Sequence, residues 1–466
     1  MLFAAPSFLF LFLPLTLAIY ALVPPKFRRY ALLAFNLIFY IFVCRNAPIS
    51  ILLAFLTAAF TYSAGFAVAV THQRKTVLLS ALVLGVAFLI YRLFHHSSLL
   101  AGSPYYPLGA SFYLLSALSY LVDIYRNDAP HAKNFADLLL YMFFFPTIIV
   151  GPIIKYKDFG VLLEGEMLSL ERFSVGVKCY ISGFLKRLSV SAVLGYALEQ
   201  LLAAAGDRFG IWIALLAFAL MCGYLLFAIG GYYDMACGLM LMFGIGPPRY
   251  PSAEKIRIVC IWTSFRAWMT DYLVHPILRK RQIPRVLRYA LAGLVVCCFP
   301  LLWLKTRWYL LPIGAIIIIG GGLYLLMLRQ NLRHNPRLNR VVRILGRVVL
   351  CLFMILFIAL LPFERAGDIA EFWQMLLQEG WTLPTQTVLL GLSVLKYLPI
   401  GLIGLGCLFF LREGCTEKEK RIPIALGGLL RGCAFLLVMC SFAFSILHLM
   451  PQFPECAVNA LPYLVF

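Results

Sequence analysis

Charge is the first thing this chain is short of. Only 13% of its 466 residues are Asp, Glu, Lys or Arg, about half the share of an ordinary soluble protein. A soluble multidomain body is excluded by that figure together with 62% hydrophobic residues and a mean hydropathy of +0.90. Acidic residues are scarcer still, 20 against 40 basic ones, a formal net charge of +20. In a soluble protein that excess would point to nucleic acid. Here the basic residues fall in short loops between apolar runs, where orientation in the membrane and contact with anionic lipid account for them, so no nucleic-acid partner is expected. Paired metal-ligand or disulfide spacing is missing as well. The 13 cysteines are scattered through apolar stretches, as at Cys297, Cys298, Cys351, Cys407 and Cys440, where they read as small buried packing residues. No metal site is expected, and no internal repeat or low-complexity tract stands out.

What is present is a succession of apolar runs near the length a bilayer demands, about 20 residues. They fall at about 7–23, 30–44, 49–71, 77–94, 108–122, 174–204, 211–230, 256–278, 289–304, 309–328, 348–363, 386–411 and 424–449. The expected fold is an all-α polytopic membrane protein of about 11–13 transmembrane helices, organised as one membrane domain over residues 1–466. The first run is read as a span and not as a removed signal peptide, since no basic stretch precedes it and no small-residue cleavage site follows. Lys186 and Arg187 interrupt the 174–204 run, which predicts a turn there. Basic loops at Lys26, Arg28 and Arg29, at Arg74 and Lys75, at Arg279 to Arg285 and at Arg329 to Arg347 alternate with poorer ones. The alternation predicts an N-terminus on the outer side. Beyond Leu361 an acidic stretch carries Ile369, Phe372, Trp373, Leu376 and Leu377 at helical spacing, the pattern of an amphipathic helix in the outer interface.

The segment FFPTIIVGPIIKYKDF, Phe144 to Phe159, does not read as a plain span. Pro146, Gly151 and Pro152 break an apolar run that then stops at Lys155, Lys157 and Asp158. Proline removes a donor and blocks helix continuation, and backbone left unpaired at membrane depth must be buried in protein or face a wet cavity. A bent or re-entrant element is expected, with a proline-kinked helix ending at the interface as the plainer alternative. Ionisable residues inside apolar runs cost roughly 2.5–3.5 kcal/mol each on insertion scales. Asp234 is the clearest case, either a site residue in the interior or a buried cap at a helix end beside Gly230 and Gly231. Asp123 and Arg126 are spaced to share a helix face at the membrane edge, which predicts an ion pair. Asp271 and Arg266 are predicted to pair in the same way.

These stretches resemble the membrane-bound O-acyltransferase family, in the bacterial branch that includes alginate O-acetylation and the D-alanyl transfer protein of teichoic acids. The likeness is carried by Ser111, Phe112, Tyr113, Ser119, Tyr120, Asp123, Tyr125 and Arg126, and by Phe145, Pro146, Gly151, Pro152, Tyr156, Asp158 and Phe159. Further matches are Gly231, Tyr232, Asp234, Met235, Ala236, Gly238, Phe243 and Gly244, then Trp268, Asp271, Tyr272, Leu273 and Pro276, and finally Phe363, Arg365 and Ala366. They run in family order and define a core over residues 108–377.

The resemblance implies transfer of an acyl group, acetyl in this branch, from a thioester donor to a hydroxyl of an envelope polysaccharide or similar acceptor. No permanently bound cofactor is implied; the donor would be acyl-coenzyme A or an acyl carrier protein. It also implies a bacterial plasma (inner) membrane location among membrane lipid and a periplasmic or extracellular acyltransferase partner. Tyr113, Pro146, Pro152, Asp234, Asp271 and Trp303 are the expected channel and substrate residues.

The family's general base is a histidine in a stretch of the form LWHGxxW, and a neutral imidazole in a dry site suits removal of a hydroxyl proton. The counterpart here is LLWLKTRW, where Trp303 and Trp308 fit but Leu304 occupies the histidine position. Trp262, Thr270 and Ala228 stand at other positions where the family pattern has polar groups. Of the histidines present, His72, His131 and His334 fall in polar or basic loops and read as solvated, and His95 and His96 lie just beyond a span. His275 and His448 remain as candidate bases. The alternative is a catalytically inactive member kept as a scaffold or channel subunit.

Overall fold

The computed structural model describes most of residues 3–245, with internal gaps, and the short segment 268–274. Among these residues all regular structure is helical and no strand occurs. The chain is an all-α membrane protein. Its helices run α1 (Leu13–Leu22), α2 (Arg28–Val43), α3 (Pro48–Thr71), α4 (Arg74–His96), α5 (Ala110–Tyr125), α6 (Phe135–Met142), α7 (Phe145–Ile148), α8 (Tyr156–Glu164), α9 (Leu170–Leu185), α10 (Ala192–Ala205) and α11 (Ile211–Met242). Three continuous stretches, Pro48–Thr71, Leu170–Leu201 and Ala219–Met242, are long and apolar enough to cross a membrane. The amphipathic stretch near Ile369 and the later spans lie outside the described residues.

The span-length helices differ in surroundings. On α3 the large apolar side chains Ile49, Leu52, Leu56, Phe66 and Val70 are exposed, while small residues (Ala54, Ala58, Ala64) face inward. In water such a face would drive aggregation; in lipid it is the expected outer surface. The facing halves of α9 and α11 are buried. Among the described residues these two helices make the closest pairing, because glycine meets glycine at two levels. A Cβ on Gly231 would lie 2.7 Å from the Gly183 carbonyl oxygen, and one on Gly238 would lie 2.6 Å from that of Gly176. Small residues let helix backbones approach where lipid supplies no hydrophobic drive to associate.

The sequence predicts a turn at Lys186 and Arg187, and the structure corrects this. The chain stays helical from α9 into α10 through a π-helical turn, Lys186–Ser191, all of it buried. The span ending near residue 230 is likewise too short: α11 runs past Gly230 and Gly231 to Met242, since these glycines sit at a helix contact and not at a helix end. Asp234 is therefore a mid-helix residue and not a cap. Cys44, Cys179 and Cys237 are buried and unbridged, in line with a packing role.

Candidate active site

The proline segment is broken as its composition predicts. The short helix α6 leads to α7, then residues 151–155 run without regular structure into α8. Gly151, Pro152 and Ile154 are buried, so this irregular backbone is enclosed by protein, and its polar groups find specific partners. Asn36 on α2, completely buried, accepts through Oδ1 a hydrogen bond from the Phe145 amide at the start of α7, 3.1 Å. The Tyr141 hydroxyl donates to the Ile154 carbonyl, 2.9 Å. Gly109 starts α5 at φ 74, a conformation that favours glycine, and a Cβ there would strike the Ile148 carbonyl. The start of α5 and the end of α7 are thus in direct contact.

Onto this element docks the segment 268–274, far away in sequence. Trp268 donates from Nε1 to the Ser119 hydroxyl, 2.6 Å. The Tyr272 hydroxyl lies 2.8 and 2.9 Å from the two Asp123 carboxylate oxygens, and the Lys157 amide donates to Asp123 Oδ2 at 3.0 Å. Asp271 forms an ion pair with Lys155. Arg126 donates to the Asp271 carbonyl at 3.0 Å and lies over the Tyr272 ring, 5.4 Å from its centroid. The predicted Asp123–Arg126 pair is replaced by this arrangement: the carboxylate turns inward to Tyr272 and the guanidinium reaches Asp271. Asp271 takes Lys155 as its partner, while Arg266 lies outside the described residues. A carboxylate at 0% exposure is tolerable here because each oxygen accepts hydrogen bonds.

Removing the Tyr272 hydroxyl tests this docking. Tyr272→Phe is expected to destabilise the protein by roughly 1.5–3 kcal/mol, the range for a hydrogen bond to a charged group, and to speed proteolysis near residues 268–274. Unchanged thermal unfolding in detergent would argue against it.

At the surface end of the network Lys157 pairs with Asp128, 3.1 Å, the side chains 32% and 35% exposed. Partial burial works to lower the Lys157 pKa, but the hydrogen bond and charge of Asp128 outweigh it and hold the amine above its ordinary 10.5. A raised folded-state pKa contributes stability that is complete below 10.5 and is lost as pH rises through the folded value. Solvent screening keeps the pair to roughly 0–1 kcal/mol. Asp128→Ala should therefore lower neutral stability by that roughly 0–1 kcal/mol and converge on wild type as pH rises through the folded pKa, which flattens the alkaline limb of a stability-versus-pH curve.

Beneath the proline segment lies a small open-mouthed cavity lined by Phe112, Ser116, Tyr141, Thr147, Pro152, Ile153, Ile154 and Phe159. It offers about 10 Å³ to the centre of a water-sized sphere, room for about one water molecule.

Of the residues singled out from sequence, Pro152 lines this cavity. Pro146 is buried within α7. Tyr113 is buried, its ring 5.9 Å from that of Phe143. Asp234 lies in a separate cluster between α9 and α11, where it pairs with the buried Lys186. There the Arg187 guanidinium lies 5.6 Å from the Tyr232 ring centroid. Asp234 Oδ1 accepts no hydrogen bond from the described residues. Trp303, Leu304, His275 and His448 lie outside the described residues. Among the described residues there is no group of His, Cys, Asp and Glu able to hold a metal ion. His131 corrects an expectation: it is half-buried, its ring centroid 4.9 Å from that of Tyr62 and 5.9 Å from that of Phe66, and not a solvated loop residue.

The sequence reading passed over Asn36, the Lys186 partner of Asp234, and the Asp123–Tyr272 contact. A lone Asn in an apolar run was a usable signal for the first; nothing local marks the others as pairs.

The sequence profile described as MBOAT, the membrane-bound O-acyltransferase family, matches residues 127–269, a range that takes in the proline segment, the Asp234 cluster and the first residues of the docked segment. Over that range the chain is similar to this family. It is 30% identical over 300 residues to the probable alginate O-acetylase AlgI of Azotobacter vinelandii, covering 59% of each chain. It is 29% identical over 286 residues to the protein of the same name from Pseudomonas fluorescens, covering 59% of this chain and 56% of that one. A peptidoglycan O-acetyltransferase of Helicobacter pylori is 24% identical over 198 residues, 36% of this chain and 37% of that protein. The matched region thus spans a little over half the length of the alginate O-acetylase relatives and less of the peptidoglycan enzyme.

Proposed function

We propose that this protein is a membrane O-acyltransferase that moves an acyl group, in the first instance acetyl, from a thioester to a hydroxyl of an envelope polysaccharide. The reading is supported by one observation above all. The region matched by the family profile, residues 127–269, holds the broken proline segment, whose Pro152, Ile153 and Ile154 line a cavity, and it reaches Trp268, which docks on Ser119. In the reaction the C–S bond of the donor breaks and a C–O bond forms to the acceptor oxygen; the hydroxyl proton passes through a base to the departing thiolate. His275, which follows the docked segment in sequence, and His448 are the candidate bases. Alginate and peptidoglycan are acceptor classes suggested by the relatives' names. The donor would be acyl-coenzyme A or an acyl carrier protein on the cytoplasmic side. The setting would be a bacterial inner membrane with the N-terminus outside and an extracytoplasmic acyltransferase as partner.

Leu304 favours a second reading, a catalytically inactive scaffold or channel subunit, because leucine takes no proton. Alkali-labile acyl groups in envelope material from cells with and without the gene separate the two. Gene-dependent label is expected, with one of His275→Ala and His448→Ala lowering it about 10²–10⁴-fold. Equal labelling with and without the gene would leave the scaffold reading.

A further inference from the structure

We infer that a polar seam along α5 is a proton path, running from the cavity behind the proline segment to the buried Asp123 carboxylate; this rests on the acyl-transfer reading above. Ser116, Ser119 and Asp123 follow one another on α5 at spacings of three and four, which sets them on one helix face. At one end of that face Ser116 and Tyr141 border the water-sized cavity together with Thr147. Their hydroxyls give a trapped water the roughly two to four polar partners it needs. The Tyr141 hydroxyl lies in hydrogen-bonding reach of both Ser116 and Ser119. The Tyr272 hydroxyl lies in reach of Ser119 and donates to Asp123 at 2.8 Å. Asp123 in turn accepts from the Lys157 amide, beside the part-exposed Lys157–Asp128 pair. An unbroken line of side-chain oxygens thus joins the cavity to the protein surface.

The hydroxyls on this line are held so that each can hand a proton on. The Tyr141 O–H donates to the Ile154 carbonyl at 2.9 Å and the Ser119 O–H to the Leu115 carbonyl at 2.9 Å. Rotation about the C–O bond moves each hydrogen onto the next oxygen. Trp268 donates to Ser119 Oγ, which holds that oxygen in place without using its hydrogen. Serines that only pack a helix face need neither a water site nor a carboxylate at the ends of their row, and an ionisable group within an apolar body is the mark of a proton relay. The base that takes the acceptor's hydroxyl proton must release it before the next turnover. It passes the proton to the cavity water; the water and each hydroxyl accept one proton and release another, so none of them changes charge. Asp123 takes up the last proton and releases it to solvent beside Lys157 and Asp128, from which the departing thiolate is protonated.

The test uses membranes bearing the full chain with its native envelope acceptor and labelled acetyl-coenzyme A, in water and in deuterium oxide, with turnover expressed per folded protein. Ser119→Ala and Tyr141→Phe each remove one hydroxyl from the middle of the line and keep the shape of the side chain. Both are expected to lower kcat by about 10²-fold, the lower end of what assisted proton transfer contributes. KM for the donor should stay the same and the solvent isotope effect should grow. Either variant decides the matter should the other not accumulate. Ser119→Thr, which keeps the hydroxyl and adds a methyl, should retain most of the wild-type rate, an outcome that a packing role for Ser119 would not give. Wild-type kcat in Ser119→Ala or Tyr141→Phe, or a loss in Ser119→Ala that Ser119→Thr shares with an unchanged isotope effect, overturns the proton path alone. No gene-dependent label from wild type overturns the acyl-transfer reading on which it stands.

Discussion

Asp234→Asn is expected to destabilise the protein by about 3–5 kcal/mol, the range for breaking a buried ion pair by removing one partner. Lys186 and Asp234 are both buried, on adjoining helices in the membrane-spanning stretches Leu170–Leu201 and Ala219–Met242. Each is the other's charge partner. With asparagine in place, the buried Lys186 amine loses the carboxylate that compensates it, beside a second buried basic side chain at Arg187. The double replacement Lys186→Met with Asp234→Leu removes both charges, and apolar side chains in place of a buried pair are often neutral. The double variant should therefore recover most of what the single one loses. The measurement is a double-mutant cycle on thermal unfolding in detergent, and additive losses would show that the two groups do not interact. If the double variant is stable yet inactive, the pair serves the reaction and not only the fold.

Gly183→Ala is expected to be nearly as damaging. One methyl group usually costs about 1–3 kcal/mol when forced into a filled site, and this site belongs at the upper end because the obstacle is backbone. The added carbon would meet the Gly231 carbonyl and lie 2.6 Å from the Met235 amide nitrogen, so α9 and α11 must separate. Separation also lengthens the Lys186–Asp234 contact, which couples this prediction to the first. Gly85→Ala is the control, since a Cβ there meets nothing within 4 Å and alanine favours helix over glycine by about 1 kcal/mol. Equal unfolding temperatures for Gly183→Ala and Gly85→Ala would disprove the close helix contact.

The break at Pro146 to Pro152 was legible because proline's missing donor and fixed φ act locally, whatever surrounds them. The apolar runs were legible for a similar reason: bilayer thickness sets helix length residue by residue. Even so, Lys186 and Arg187 read as a turn, because a charge in an apolar run looks intolerable until its partner is known. That partner lies 48 positions away, and a π-helical turn accommodates both basic residues without interrupting the span. Asp123 and Arg126 read as a local pair because i,i+3 spacing is visible in sequence, whereas the hydroxyl of Tyr272, 149 positions on, is not.

The sequence by itself determined that this chain lives in lipid and that its proline segment does not cross as a plain span, since each follows from hydropathy and backbone chemistry within a short window. The tertiary structure alone decided which charges neutralise one another, that glycines mark a helix contact and not a helix end, and that a water-sized space sits behind the proline segment. Those are properties of atoms brought together across long stretches of chain, and no short window of sequence contains them.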